Sequence, residues 1–348
     1  MATRAFEDRI EPPRLLSRPW FRGIGLEGIS KRRRRQLRRS VTIGVCAIGV
    51  VVAVLVARRI TSTNWPLEGA RIDLALAAGA AYLSSFVFRA LGWQQLFPSA
   101  SRPDRSRCLA ACGAAAASGV VLPFRLDYVV KITTLRRLGG VTVGLEAIAL
   151  SILSLGLVDA VAMLPLAIAA FATAGAIFRA PLAVVLLFCL GCIGVLALGP
   201  KLGRLPLISR SSRLDGICHR VGGRAARTRA TFNAGGFLVA CWSTRAVGNT
   251  LLLCALGLGF SPTLALVVLC MSAAASILPI TAGGAVVGVG ATSGVLLALG
   301  VPTREAVNFA LASSLLLTSS ALAAAAIGIS GSVLLAANRR RLLGAVVA

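Results

Sequence analysis

The chain alternates long apolar runs with short basic connections. Val41–Ala57, Ile72–Trp93, Val141–Ala176, Ala180–Leu198, Phe237–Phe260 and Ala306–Ala337 are built from Leu, Val, Ala, Ile and Gly, with few charges. Each is close to or beyond the roughly 20 residues that cross a bilayer core as a helix. They lack the period-two alternation of a β-barrel strand and the polar stripe of a soluble bundle helix. Six helical crossings are predicted, with a bend expected near Pro165 inside the longest run.

Four shorter runs fall into two pairs. Cys108–Leu122 and Tyr128–Leu138 are separated by Pro123, and Ser261–Pro279 and Ala285–Leu299 by "PITAGG". Each break follows the same phrase: "AAAASGVVLPFRLD" (Ala114–Asp127) and "AAASILPITAGG" (Ala273–Gly284), with Pro123 and Pro279 lying 156 residues apart. A proline removes a backbone donor and turns the preceding residue away from helix. Gly283 and Gly284 allow backbone that other residues avoid. Broken backbone survives at membrane depth only where it is buried in protein or lines a cavity. Two broken hairpins, one opening inward and one outward, are the pattern of an inverted-repeat transporter. For the first pair, two short surface helices are the alternative. The fold class expected is an all-α polytopic integral membrane protein of about six crossings with two re-entrant helical hairpins.

Charge gives this pattern an orientation. The 348 residues are 57% hydrophobic and carry a net charge of +25, with a mean hydropathy of +0.83. Twelve Lys/Arg lie in residues 1–40, eight in 201–230, and "NRRR" (Asn338–Arg341) follows the last run. Basic loops flanking apolar runs are retained in the cytoplasm. The expected organisation is a basic cytoplasmic arm (1–40), a transmembrane domain (41–337) and a short basic cytoplasmic tail (338–348) in the cytoplasmic membrane. Val41–Ala57 reads as a permanent anchor, since no small-residue cleavage site follows it. Nucleic-acid binding is the rival reading of such clusters, but nothing around them resembles a folded reading head.

Catalytic and metal chemistry find no support. Most of the nine cysteines sit inside apolar runs as small hydrophobes, including the Cys189–Cys192 pair in "LLFCLGCIGVL". The single His219 has no partner spacing, and no cofactor, nucleotide or metal pattern is present. The candidates are charges within apolar runs, each costing about 2.5–3.5 kcal/mol at a helix centre on insertion scales. Arg245 lies in "LVACWSTRAVGNTLLLC" and Asp159 in "SLGLVDAVAML". Arg125, Asp127 and Lys131 cluster at the first break, and Asn249 follows Arg245 by one turn. They predict a polar cavity for an anionic headgroup, with arginine as a forked phosphate ligand. An Arg–Asp pair that fixes helix packing is the competing reading. Arg89 and Glu146, nearer run ends, are expected to snorkel to the interface.

Two segments carry a resemblance. "VVLPFRLDYVVKITTLRRLGGVTVGLEAIALSILSLGLVDA" (Val120–Ala160) and "ILPITAGGAVVGVGATSGVLLALGVP" (Ile277–Pro302) resemble segments of the lysylphosphatidylglycerol-synthase transmembrane-region, or flippase-like, family. With the order of apolar runs, the similarity spans roughly residues 40–337. Pro123, Arg125 and Lys131 fit the family pattern. Asp127 stands where Gly is usual, Tyr128 where an acid is usual, and Leu155–Gly156 where Glu-Arg often precedes the aspartate matching Asp159. The segment "AVVGVGATSG" after the double glycine carries no Glu. The resemblance implies a membrane region for moving a lipid or lipid-linked headgroup. Aminoacyl transfer is not implied, because that belongs to a soluble domain this chain does not show.

Two functions are therefore expected to compete. One is translocation of an anionic phospholipid or lipid-linked intermediate, downhill or on a gradient. The other is a non-transporting partnership with an enzyme of envelope lipid or glycan synthesis; homo-oligomerisation is open in either case. The topology has its own check. Reporter fusions at residues 215 and 348 are expected to report the same, cytoplasmic, side; opposite sides remove the inward–outward hairpin arrangement.

Overall fold

The structure, a computed structural model, describes residues 66–120, 122, 126–139, 144–202, 228–277 and 284–347. The first apolar run, the basic arm, Pro123, Arg125, Pro279 and Gly283 lie outside the described residues. Among the described residues nine α-helices follow in order: α1 (Ile72–Gln95), α2 (Arg105–Gly119), α3 (Asp127–Gly139), α4 (Leu145–Thr173), α5 (Ala176–Leu202), α6 (Thr228–Ala255), α7 (Pro262–Ile277), α8 (Gly284–Ala298) and α9 (Thr303–Val347). No strand occurs among the described residues. Five of these helices (α1, α4, α5, α6 and α9) are long and apolar enough to cross a membrane. The chain is an all-α, multi-pass membrane protein.

Helix ends depart from the apolar runs in an instructive way. α6 begins at Thr228, well before the apolar run at Phe237, and α9 runs on through Asn338–Arg341 to Val347. Apolarity marks what lipid tolerates, whereas a helix continues until a breaker stops it. The stops are visible. Gly257 (φ 75°) ends α6: its N–H reaches the Cys254 carbonyl, and the Leu258 N–H reaches Leu253. Gly300 (φ 81°) ends α8 in the same way, through Leu297 and Leu296. Both are Schellman caps, which need a left-handed residue. Pro262 then opens α7 at the first helical position, where its missing N–H costs nothing. Pro165 is accommodated within a continuous α4.

The two halves of the chain keep one register. α1 and α6 start at Ile72 and Thr228, α2 and α7 at Arg105 and Pro262, α3 and α8 at Asp127 and Gly284, and α4 and α9 at Leu145 and Thr303. The packing is reciprocal as well. α2 packs on α9 while its counterpart α7 packs on α4; α4 lies on α6 while α9 lies on α1; α2 pairs with α3 as α7 pairs with α8. α1 and α6 pack against each other along their length, and they run antiparallel. Arg71 at the start of α1 donates its N–H to Ala255 at the end of α6, Tyr82 meets Asn249 and Gly92 faces Leu238. The contacts come in two-fold pairs. A Cβ on Gly92 would lie 3.2 Å from Leu238, and one on Gly248 would lie 2.9 Å from Tyr82. Gly248 and Leu238 are Gly92 and Tyr82 displaced by 156 residues, the same offset that relates Pro123 to Pro279. This antiparallel, self-matching crossing is the signature of an inverted repeat.

Small residues set the closest approaches, as they do where lipid offers helices no hydrophobic incentive to associate. A Cβ on Gly113 of α2 would meet the Ala321 carbonyl and the Ala325 nitrogen of α9 at 2.5 Å, and one on Gly328 would strike the backbone of Ala110 and Ser106. Gly328→Leu is therefore expected to force α9 off α2, at a cost of about 1–3 kcal/mol or more. Gly191→Leu, where nothing lies within 4 Å, is expected to be neutral. Thermal unfolding of the purified protein in detergent reads the difference; equal melting temperatures for the two variants contradict the packing.

Candidate functional site

The α1–α6 crossing and both hairpins border one cavity of about 790 Å³. Tyr82, Phe86 and Arg89 of α1, Asp159 of α4, and Trp242, Arg245 and Asn249 of α6 form its polar wall. The remaining lining includes Ala116 and Gly119 of α2, Tyr128 of α3, Ser272 of α7, Thr292 of α8, and Ser313 and Thr318 of α9. The volume lies within the range of small-ligand pockets.

The wall is built around one carboxylate and two guanidinium groups. Asp159 Oδ2 accepts a 2.6 Å hydrogen bond from Arg89 Nη2, and its Oδ1 accepts one of 2.9 Å from the Trp242 indole N–H. The Arg89 and Asp159 side chains are only 26% and 12% exposed. The expectation that Arg89 snorkels to the interface is therefore wrong. Arg89 turns inward, where a carboxylate on α4 satisfies it through a charge-assisted hydrogen bond. Glu146 sits exposed in the first turn of α4.

Arg245 is placed differently. Its Nε donates to Ser85 Oγ at 3.2 Å, and Ser85 in turn donates to the Tyr82 carbonyl at 2.7 Å. The guanidinium carbon lies 5.3 Å from the Trp242 ring centre and 5.5 Å from that of Phe86. Two aromatic faces thus hold the cation by its π-contacts. Its two Nη groups carry no hydrogen bond or direct ion pair to the described residues, and the nearby Asp159 carboxylate acts on Arg245 only through space. The packing reading requires Asp159 as the partner of Arg245, and Asp159 is taken by Arg89. Asn249 is equally specific: its Oδ1 accepts the Tyr82 hydroxyl at 2.6 Å, and its amide N–H groups make no hydrogen bond among the described residues. Thr292 and Ser313 make no hydrogen bond among the described residues either. The cavity therefore presents the free fork of Arg245 together with spare amide and hydroxyl donors.

The other residues singled out in the sequence are dispersed. Lys131 is buried with its Nζ 4.2 Å above the Trp93 ring, and it does not line the cavity. The Trp93 indole donates to Ser151 at 3.0 Å, which ties α1 to α4 at that level. Asp127 opens α3, half-buried beside Gly119, and does not line the cavity. Gly284 opens α8; Arg125, Pro123, Pro279 and Gly283 lie outside the described residues. Arg89, Lys131 and Arg245, buried or half-buried, thus lie around the buried Asp159 carboxylate, and only Arg89 pairs with it directly.

Arg89 was legible through a signal that single-helix reading passes over. "FVFRALG" (Phe86–Gly92) and "WSTRAVG" (Trp242–Gly248) share an aromatic residue, Arg-Ala, an apolar residue and Gly. Arg89 and Arg245 stand 156 residues apart, like the two Leu-Pro breaks.

Comparison with known families fits this architecture. The family model for the lysylphosphatidylglycerol synthase TM region matches residues 40–325. The chain belongs to this family. No curated protein and no solved structure matches it. The matched region of this lysylphosphatidylglycerol synthase TM-region protein contains every residue of the polar wall, both hairpins and the start of α9.

Proposed function

We propose that this protein binds a lipid or lipid-linked molecule through an anionic headgroup and carries that headgroup across the cytoplasmic membrane. Membership of the lysylphosphatidylglycerol synthase TM-region family supports a role in lipid handling. The observation that carries the finer reading is the unpaired Arg245 fork in an interior cavity. A guanidinium cannot shed its proton to escape burial, and an unpaired charge inside a membrane protein is expensive. Such a group is retained where a ligand completes it. The fork matches a phosphate in two-point geometry, and the spare donors of Asn249, Thr292 and Ser313 suit its remaining oxygens.

Translocation adds one element to binding. An inverted repeat around a single site lets two halves alternate their packing about a fixed ligand. Both hairpins border the cavity, so rearrangement of either would open the headgroup to one side. The cytoplasmic sides assigned to the basic segments by their charge complete this reading. The proposal assigns the protein no catalytic step.

Reconstituted vesicles carrying a fluorescent anionic phospholipid provide the test. Arg245→Gln is expected to reduce transport to the protein-free background with an unchanged melting temperature. Arg245→Lys is expected to be intermediate, since a point charge loses the fork. Full transport by Arg245→Gln protein overturns the proposal and favours the non-transporting partner role.

A further inference from the structure

Arg89 and Arg245 occupy equivalent positions in the two halves. They stand in the repeated string, on the two helices that cross with paired contacts, and both line one cavity. Yet their partners differ. Arg89 is held by Asp159; the positions of α9 that correspond to Asp159 by the offsets of the paired helices, Leu315 to Leu317, are leucines. The second half thus provides no carboxylate for Arg245, and Ser85 is its only hydrogen-bonding partner among the described residues. One of two matched cation positions is filled by an internal anion and the other is open.

From this asymmetry we infer that Arg89 is a second oxyanion half-site, masked by Asp159, which a phosphate ester uncovers by displacing the carboxylate. A carboxylate and a phosphate oxygen pair engage a guanidinium through the same two-point contact. One can therefore replace the other without leaving Arg89 bare. Asp159 also has a second tether: the Trp242 indole N–H stays bonded to Oδ1 if Oδ2 leaves Arg89. Trp242 contacts Arg245 as well, so the carboxylate is handed over within reach of both halves. The ligand takes Arg245 first and then Arg89. The inference rests on the reading of the cavity as an anion site and specifies how that site is divided.

Asp159→Asn keeps the shape of the side chain and an accepting oxygen for the Trp242 indole, while removing the charge and the oxygen that accepts from Arg89. Binding of dihexanoyl phosphatidylglycerol to the purified full chain is followed by tryptophan fluorescence or calorimetry, with dihexanoyl phosphatidylcholine and inorganic phosphate alongside. Asp159→Asn is expected to tighten the phosphatidylglycerol by about tenfold or more, the worth of one further charge-assisted hydrogen bond. Tightening for inorganic phosphate as well identifies free phosphate as an equal occupant; tightening for the phosphatidylglycerol alone identifies a lipid headgroup. Arg89→Gln combined with Asp159→Asn is expected to return affinity to the wild-type level, because the uncovered half-site is then absent. Trp242→Phe keeps every charge and an aromatic face for Arg245 but removes the bond that holds the displaced carboxylate; it is expected to weaken binding by about two- to fivefold, and it decides the matter if Asp159→Asn protein does not fold. Wild-type protein that binds no phosphatidylglycerol removes the anion-site reading and this inference together. Wild-type protein that binds, with Asp159→Asn no tighter and Trp242→Phe no weaker, overturns the inference alone. So does a double variant as tight as Asp159→Asn, because the gain would then come from lost negative charge and not from Arg89.

Discussion

The antiparallel crossing of α1 and α6 is the constraint on which the rest depends. Gly92 and Gly248 let the two helices approach until the Tyr82 ring and the Leu238 side chain fill the space where a Cβ would stand. At that separation Tyr82 reaches Asn249 and Ser85 reaches Arg245. The same crossing brings Arg89 to the cavity wall, where α4 delivers Asp159. The α2–α3 and α7–α8 hairpins then lie on reciprocal partners, α9 and α4. Wider spacing at this crossing would separate the polar groups from one another and leave each to lipid or to the headgroup region.

Charge imbalance follows from that geometry. A membrane protein can afford interior cations when carboxylates accompany them, and Asp159 accompanies one. Lys131 is held over Trp93, and Arg245 between two aromatic rings. Aromatic faces stabilise a cation without neutralising it, so the interior keeps an excess of positive charge among its described residues. That excess, set in a cavity that both halves border, is the physical reason to expect an anion there. It also explains why an anion would bind without a metal or a fixed counter-charge being displaced at Arg245.

Much of the fold was legible because lipid imposes it. The apolar runs gave α1, α4 and α5 nearly end to end and α9 up to its basic end, and the Leu-Pro phrases placed α2, α3, α7 and α8. The start of α6 was misplaced because Thr228, Arg229, Thr231 and Asn233 continue a helix while keeping its first turns from reading as an apolar run. The site was legible in part. Arg245, Asn249 and Asp159 stood out as polar groups inside long apolar runs, and the structure brings them to one wall. Arg89 did not stand out, because its depth depends on a carboxylate 70 positions away in the chain. Lys131 stood out by proximity to the first break, but its helix turns it onto Trp93 and away from the cavity. Periodicity within one helix cannot report which neighbour a side chain will meet; the 156-residue repeat, read across helices, can.

Native mass spectrometry of the full chain, released from nanodiscs of mixed anionic and zwitterionic lipid, tests the central claim most directly. The account predicts one retained anionic lipid per chain, absent from Arg245→Gln protein, with zwitterionic lipid retained in neither. Retention of the same anionic lipid by both proteins, or of zwitterionic lipid alone, would contradict an anion site at Arg245.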